Sequence, residues 1–203
     1  EFFHTWNMER LPSSGIERFN FEEADMSDDL WLGEGFTNYF DGLIQHRAGH
    51  TDPEGFAGEL AGVINQVTLG PGRIFRSAVD MSRLAPFVDA AVSIDRTAWP
   101  NLFISYYTYG QAIGLGLDLS LRAQSNGKTS GDDYMKALWA RFGRPGQKEP
   151  GKVGTAYWID GLKDTLATVS GERNFANDFF SKFVEGKQVV DYTTLLARAG
   201  LVM

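Results

Sequence analysis

Hydrophobic residues recur at helical spacing along most of this chain, whereas stretches that alternate between apolar and polar residues are scarce. Residues three or four positions apart lie on one face of a helix, so each such set predicts a helix that buries that face. The clearest sets are Phe56, Leu60, Val63, Ile64 and Val67; Met135, Leu138, Trp139 and Phe142; Phe175, Phe179 and Phe183; and Tyr192, Leu195, Leu196 and Ala199. Residues 87–94 and 187–190 are the candidates for a short strand or loop. The pattern predicts a mainly α fold.

Residues that favour the start of a helix stand before several of these sets. Asp52 or Thr51 can cap a helix whose first turn contains Pro53. Ser130 precedes a first turn with two aspartates, and Asp191 precedes the last set. These positions predict where the helices begin.

The helix predicted around Glu34 has an apolar and a polar face. The apolar face consists of Leu32, Phe36, Tyr39, Phe40 and Leu43, and the polar stripe of Glu34, Asn38, Asp41 and Gln45. A polar stripe is commonly a solvated face. The aromatic residues and two glycines around Glu34 favour a lined cleft instead.

Residues 105–116 open a helix that is apolar nearly all round, which predicts burial. Gly110 and Gly114 lie on one side of it and would let another helix approach closely. Tyr106, Tyr107 and Tyr109 stand at its start. A tyrosine hydroxyl can donate a hydrogen bond to an oxyanion, and aromatic core filling is the alternative role for each ring.

The composition is that of a globular protein, with 43% hydrophobic and 22% charged residues. The net charge of −7 argues against non-specific nucleic-acid binding. No apolar run approaches the roughly 18 residues of a transmembrane helix, so we expect no membrane segment in this chain. The chain contains no cysteine, which excludes disulfides and cysteine-ligated metals.

Glycine, proline and charged residues are concentrated at 143–154, which predicts a loop or linker. This segment would separate a motif-bearing helical part, 1–142, from a helical C-terminal part of the same domain, 155–203.

The chain begins Glu1-Phe2-Phe3-His4, which matches the last four positions of the zinc-peptidase motif His-Glu-x-x-His. In that motif, two histidines four apart on a helix bind zinc and the glutamate acts as general base. The first histidine would be the residue before Glu1, so the 203 residues are expected to lack one metal ligand. An incidental glutamate and histidine on a helix are the alternative interpretation.

Hydrolytic zinc sites often use two histidines and one glutamate, which makes Glu34 the candidate for the third ligand. Asn38, one helical turn later, could accept a hydrogen bond from the second nitrogen of a ligand histidine, and a surface asparagine is the alternative. His46 and His50 also lie four apart. They lack an adjacent glutamate and stand at a predicted helix end, so we interpret them as surface residues.

Taken together, these segments resemble the glycyl aminopeptidase family of zinc metallopeptidases, which is similar to the wider thermolysin-like aminopeptidases. The resembling segments are EFFHTWN at 1–7, WLGEGFT at 31–37, PGR at 71–73, SYYT at 105–108, DFF at 178–180 and LLARAGL at 195–201. They follow the family's order nearly from end to end. The resemblance implies the helical half of a thermolysin-like catalytic domain.

The resemblance also implies roles for individual residues. Glu1 matches the general base, and His4 and Glu34 match the second and third zinc ligands. Tyr107 best matches the tyrosine that acts on the transition state; the adjacent Tyr106 is its rival, and the sequence does not choose between them. The spacing from His4 to Glu34 implies an inserted loop over residues 11–28.

We therefore expect part of a zinc-dependent aminopeptidase that hydrolyses the N-terminal peptide bond of a peptide substrate. A preference for N-terminal Gly follows from the resemblance. The fragment itself is expected to be inactive, because the first zinc-binding histidine is missing. The alternative is a non-catalytic helical binding or scaffold domain, that is, a degenerate peptidase.

Overall fold

A computed structural model describes residues 2–17, 21–88, 99–143 and 155–202 of the chain, and it confirms the predicted mainly α fold. The α-helices in these ranges are α1 (Ser14–Glu17), α2 (Thr37–Arg47), α3 (Pro53–Leu69), α4 (Gly72–Phe75), α5 (Ala78–Arg83), α6 (Ala85–Val88), α7 (Trp99–Leu102), α8 (Tyr106–Ser125), α9 (Gly131–Leu138), α10 (Ile159–Ser170), α11 (Arg173–Phe179) and α12 (Tyr192–Arg198). A 3₁₀ helix covers Phe2–Thr5. Wider π-helical turns cover Trp31–Phe36, Trp139–Gly143 and Phe180–Val184.

The predicted caps are present at the starts of three helices. The side chain of Asp52 accepts a hydrogen bond from the Gly55 N–H at 2.7 Å, so Asp52 caps α3. Ser130 and Asp133 form a reciprocal capping box at α9. Asp191 accepts from the Thr194 N–H at 3.0 Å at the start of α12.

Helix α8 is the central helix of the fold, and its predicted burial is confirmed. It packs against the π turn Trp31–Phe36 and against α2, α3, α5, α9 and α12. Asp118, buried on α8, accepts from Tyr39 Oη at 2.7 Å and from the Gly131 N–H at 2.7 Å. This carboxylate therefore joins α2 and the start of α9 to the central helix.

Two glycines bring α8 into backbone contact with the turn that carries Glu34. A methyl group on Gly110 would lie 1.9 Å from the carbonyl oxygen of Trp31, and one on Gly35 would lie 2.3 Å from the Cα of Gly110. No side chain fits between backbones at these separations. The predicted close approach of another helix at Gly110 is confirmed.

The C-terminal helices share one core with the rest of the chain. Tyr192 Oη donates to the carbonyl of Ala112 at 2.8 Å, and Tyr134 Oη donates to that of Leu162 at 3.1 Å. Buried hydrophobic residues from Leu11 to Leu196 form one contiguous cluster. Of the predicted linker at 143–154, only Gly143 lies within the described residues, where it ends a π turn.

The start of the predicted insertion, residues 11–28, is joined to the core and to Asp29, which directly follows the insertion. The Ser14 N–H donates to the Tyr157 carbonyl at 2.9 Å, and Ser13 Oγ donates to Asp29 Oδ2 at 2.9 Å. Burial raises the pKa of Asp29 to about 6, because removal from water disfavours its carboxylate. Between these ties, residues 21–24 are exposed.

Residues 187–190 form a loop, one of the two alternatives that the sequence predicted. In two other places the local structure differs from the prediction. Residues 87 and 88 belong to α6, and 89–94 lie outside the described residues. The motif segment is a 3₁₀ turn followed by irregular turns, not a regular α-helix.

The described helices include none that is long and apolar enough to cross a lipid bilayer.

Candidate active site

His4 and Glu34 meet although 30 residues separate them in sequence. His4 Nε2 and Glu34 Oε2 lie 2.8 Å apart, and the two side chains are 24% and 15% exposed. The pair is therefore held in the protein and still open to solvent. The segment 1–7 and the segment 31–37, which the sequence connected only through a motif, therefore meet at their two predicted zinc ligands.

Glu34 lies in a π turn, which changes the hydrogen bonds around it. In a regular α-helix the Thr37 N–H would donate to the Gly33 carbonyl. Here it donates to the carbonyl of Glu34, and Gly33 accepts instead from Thr37 Oγ1 at 2.6 Å. The Trp31 N–H donates to Ser82 Oγ at 3.0 Å, which ties the turn to α5. Such single wide turns are frequent at functional sites.

Asn7 joins the motif segment to this turn. The side chain is fully buried, and Nδ2 lies 3.0 Å from the Gly33 carbonyl oxygen. Asn7 was not among the residues predicted to form the site. The available signal was its place in the resembling segment EFFHTWN, three residues after His4.

The three tyrosines of α8 differ in exposure. Tyr106 and Tyr109 are each 2% exposed, whereas Tyr107 is half-buried and stacks on Tyr106 with ring centres 5.0 Å apart. Burial raises the pKa of Tyr109 to about 12, because the phenolate would be removed from water. Tyr107 is the most exposed of the three residues, and its catalytic role stays a prediction.

The other predicted site residues are less fully defined by the structure. Glu1 lies outside the described residues. Asn38 is partly exposed one turn after Glu34, and its predicted contact with a ligand histidine stays a prediction.

The second pair of histidines, His46 and His50, lies at the end of α2. His46 Nδ1 forms a 2.9 Å hydrogen bond with the Thr51 carbonyl, and its ring stacks on Phe56. His50 is exposed beyond the end of α2.

The donors of His4 and Glu34 are of the kinds that zinc prefers. Two ligands of one tetrahedral zinc ion lie about 3.3 Å apart, so the 2.8 Å pair would open slightly to admit the ion. Within the described ranges, no three His, Cys, Asp or Glu side chains form a group that could hold a metal. The pair fits two positions of a zinc site, and a third protein ligand would come from outside these ranges.

An apolar cavity of about 620 Å³ lies beside the motif segment. Its walls include Phe2, Phe3 and Trp6 from that segment, Phe40 and Ile44 from α2, and Met135 and Trp139. Neither His4 nor Glu34 is among its lining residues. The cavity therefore neighbours the pair without containing it.

Comparisons with known proteins agree with the family that the motifs resemble. The profile of the M61 glycyl aminopeptidase family matches residues 1–113. Among solved structures, that of an aminopeptidase N family protein from Idiomarina loihiensis is similar, with 30% sequence identity and a TM-score of 0.84. The alignment covers 100% of this chain and 32% of that one, so the present chain spans about a third of that relative. A search of curated proteins gives no match.

Proposed function

Because this chain belongs to the M61 glycyl aminopeptidase family, we propose that it forms part of the catalytic domain of a zinc-dependent aminopeptidase. The reaction is hydrolysis of the N-terminal peptide bond of a peptide. The observation that carries the proposal is the meeting of His4 Nε2 and Glu34 Oε2 at 2.8 Å. A histidine and a carboxylate from distant segments, each partly exposed to solvent, are suited to two positions of a catalytic zinc site.

His4 and Glu34 would hold the zinc ion, with a histidine directly before Glu1 as the remaining protein ligand. When bound, zinc supplies a water of lowered pKa and polarises the scissile carbonyl. We use the term parent protein for a longer chain that would include this histidine.

Glu1 acts as the general base and then as the general acid. It takes a proton from the attacking water as the new C–O bond forms, and it passes that proton to the leaving amine as the C–N bond breaks. One carboxylate performs both steps because it is neutralised by the first and regenerated by the second.

Tyr107 donates a hydrogen bond to the oxyanion that develops on the scissile carbonyl. Its exposure supports this choice over Tyr106, which is 2% exposed. The backbone contact between Gly35 and Gly110 favours neither tyrosine, because both lie about one helical turn from Gly110 on α8. That contact holds the start of α8 against the turn that carries Glu34.

The family suggests a preference for an N-terminal Gly. In the parent protein, kcat/KM for glycyl amide substrates should exceed that for leucyl amides. Equal kcat/KM values for the two substrates would contradict the preference for Gly without contradicting the peptidase mechanism.

The substitution Glu1→Gln in the parent protein tests the mechanism. It keeps the shape of the side chain and removes the base, so kcat should fall by roughly a hundredfold or more while zinc stays bound. Peptide hydrolysis rates and zinc content are measured on the same preparations, with Glu9→Gln as a control on an exposed glutamate of the same segment. Full activity in Glu1→Gln would contradict the mechanism, and a parent protein without zinc or hydrolysis would favour a degenerate peptidase that acts as a binding domain.

A further inference from the structure

The side-chain amide of Asn7 donates to two backbone carbonyls of the π turn, those of Leu32 and Gly33. Its Nδ2 atom lies 3.0 Å from the Gly33 carbonyl oxygen and 3.2 Å from that of Leu32. It also lies 3.1 Å from Thr37 Oγ1. These groups belong to the π turn and its first following residue, so one amide bonds to both sides of the turn next to Glu34.

The hydrogen bonds at the end of the π turn leave the Gly33 carbonyl to side-chain donors. The Thr37 N–H, which would donate to Gly33 in a regular α-helix, donates to the Glu34 carbonyl instead. An unsatisfied buried carbonyl is costly, so a donor at this position stabilises the π turn over a regular helix. Asn7 and Thr37 provide those donors.

Backbone hydrogen bonds also hold Asn7 close to the segment that carries His4. Its own N–H donates to the Phe3 carbonyl at 2.9 Å, and the Glu9 N–H donates to that of His4 at 3.0 Å. The amide therefore connects the backbone beside one member of the pair to the backbone beside the other. A shift of either segment would stretch its hydrogen bonds.

The two ends of the Asn7 amide differ in their hydrogen bonds, because Nδ2 makes those described above. Its Oδ1 atom is buried and has no hydrogen-bond partner among the described residues. An apolar residue of similar size would avoid that loss but could not hold the two carbonyls. The donor end is the part of the side chain that this position needs.

We propose that Asn7 is a positioning residue that sets the separation of His4 and Glu34, by clamping the π turn that carries Glu34 to the segment that carries His4. The inference rests on the proposed zinc-dependent function. Without the hydrogen bonds of the Asn7 amide, His4 and Glu34 would both remain in the chain, but they would no longer be held at the separation that one zinc ion requires. Partners that orient metal ligands typically contribute tenfold to a hundredfold in metal affinity.

The test compares Asn7→Ala, Thr37→Val and Thr165→Val in the parent protein. Thr165 is a matched control: it is 3% exposed, and its hydroxyl donates to the Gly161 carbonyl at 2.8 Å on α10. Zinc affinity is measured by competition with a coloured chelator, and the visible spectrum of the Co²⁺-substituted protein reports the geometry of the ligands. Thermal unfolding of the metal-free proteins records general stability.

Asn7→Ala should weaken zinc binding by about tenfold to a hundredfold and change the Co²⁺ spectrum, whereas Thr165→Val should change neither. The proposal would be overturned if Asn7→Ala kept the zinc affinity and the Co²⁺ spectrum of the unchanged parent protein. It would also be overturned if Thr165→Val lost as much zinc affinity as Asn7→Ala. If Asn7→Ala does not fold, Thr37→Val decides: it should weaken zinc binding several-fold, and an unchanged affinity would overturn the proposal. A parent protein that binds no zinc with Asn7 intact would overturn the proposed function and this inference together.

Discussion

At the scale of single residues, exposure separates the adjacent tyrosines that the sequence could not rank. We expect Tyr107→Phe in the parent protein to lower kcat by about a hundredfold to a thousandfold, because a donor to the oxyanion is lost. Tyr106→Phe should have a much smaller effect, since that ring lies in the core. Steady-state kinetics on both variants is the measurement. A large loss in Tyr106→Phe with near-normal turnover in Tyr107→Phe would assign the role to Tyr106.

Asp29 gives a residue-level prediction about pH. Burial raises its pKa from 3.8 to about 6. Between these values the folded chain keeps a proton that the unfolded chain has lost, so the free energy of unfolding falls as pH rises. Two pKa units correspond to about 3 kcal/mol. Relative to Asp29→Asn, the chain should therefore lose up to about 3 kcal/mol of stability from pH 4 to pH 7.

Urea unfolding of both proteins across this pH range measures that difference. Other carboxyl groups, including those whose pKa is lowered by neighbouring arginines, contribute equally to both proteins and cancel. A constant difference between the two proteins from pH 4 to pH 7 would mean that Asp29 keeps its ordinary pKa.

The sequence singled out His4 and Glu34, which the structure brings together, but not the contacts that hold them in place. Glu34 stands out because a lone glutamate among aromatic residues and glycines suggests a lined cleft. Asn7 does not stand out, because an asparagine near a turn is ordinary. The proposed role of Asn7 depends on its hydrogen bonds to carbonyls of the π turn. The sequence pattern around Glu34 predicts an ordinary helix and gives no sign of that turn.

At the scale of elements, the contact between α8 and the π turn should tolerate no added methyl group. Gly110→Ala would place Cβ 1.9 Å from the Trp31 carbonyl oxygen, so the two segments must separate. We expect a loss of about 1–3 kcal/mol or more, measured by urea unfolding. Gly62→Ala on α3 is the control, since nothing lies within 4 Å of its added methyl group.

The control should behave in the opposite way. Alanine in place of an unstrained helical glycine reduces the freedom of the unfolded chain, so Gly62→Ala should stabilise the protein by about 0.5–1 kcal/mol. Equal stability of the two variants would contradict the close backbone contact.

The sequence predicted those helices whose signals are local, and it missed those that depend on tertiary contacts. Helices α3 and α9 have a regular apolar face and a side-chain cap, so their signals are local. Helix α10 was not predicted: Trp158 at its N-cap makes no capping bond, and its buried face includes Gly161 and Thr165. Helix α5 has six residues, and its burial under α8 and the π turn is a tertiary effect.

At the scale of the whole molecule, the 203-residue chain should bind zinc weakly. His4 and Glu34 are the two proposed ligands that the described residues provide, and His4 lies on a 3₁₀ helix of four residues. Isothermal titration calorimetry should show no tight zinc site. A submicromolar site that disappears in His4→Ala and persists in His46→Ala would contradict this expectation.

The central position of α8 has a consequence for recombination between members of the family. The family profile ends at residue 113, which lies inside α8, where Ala112, Ile113 and Gly114 are all buried. A chimera joined there would mix two parental sequences within one buried helix and disturb its packing on both sides. The exposed turn at Asn126 and Gly127 follows the helix directly. A crossover at that turn would exchange whole packing units, so libraries of shuffled genes should retain more folded members when joined there.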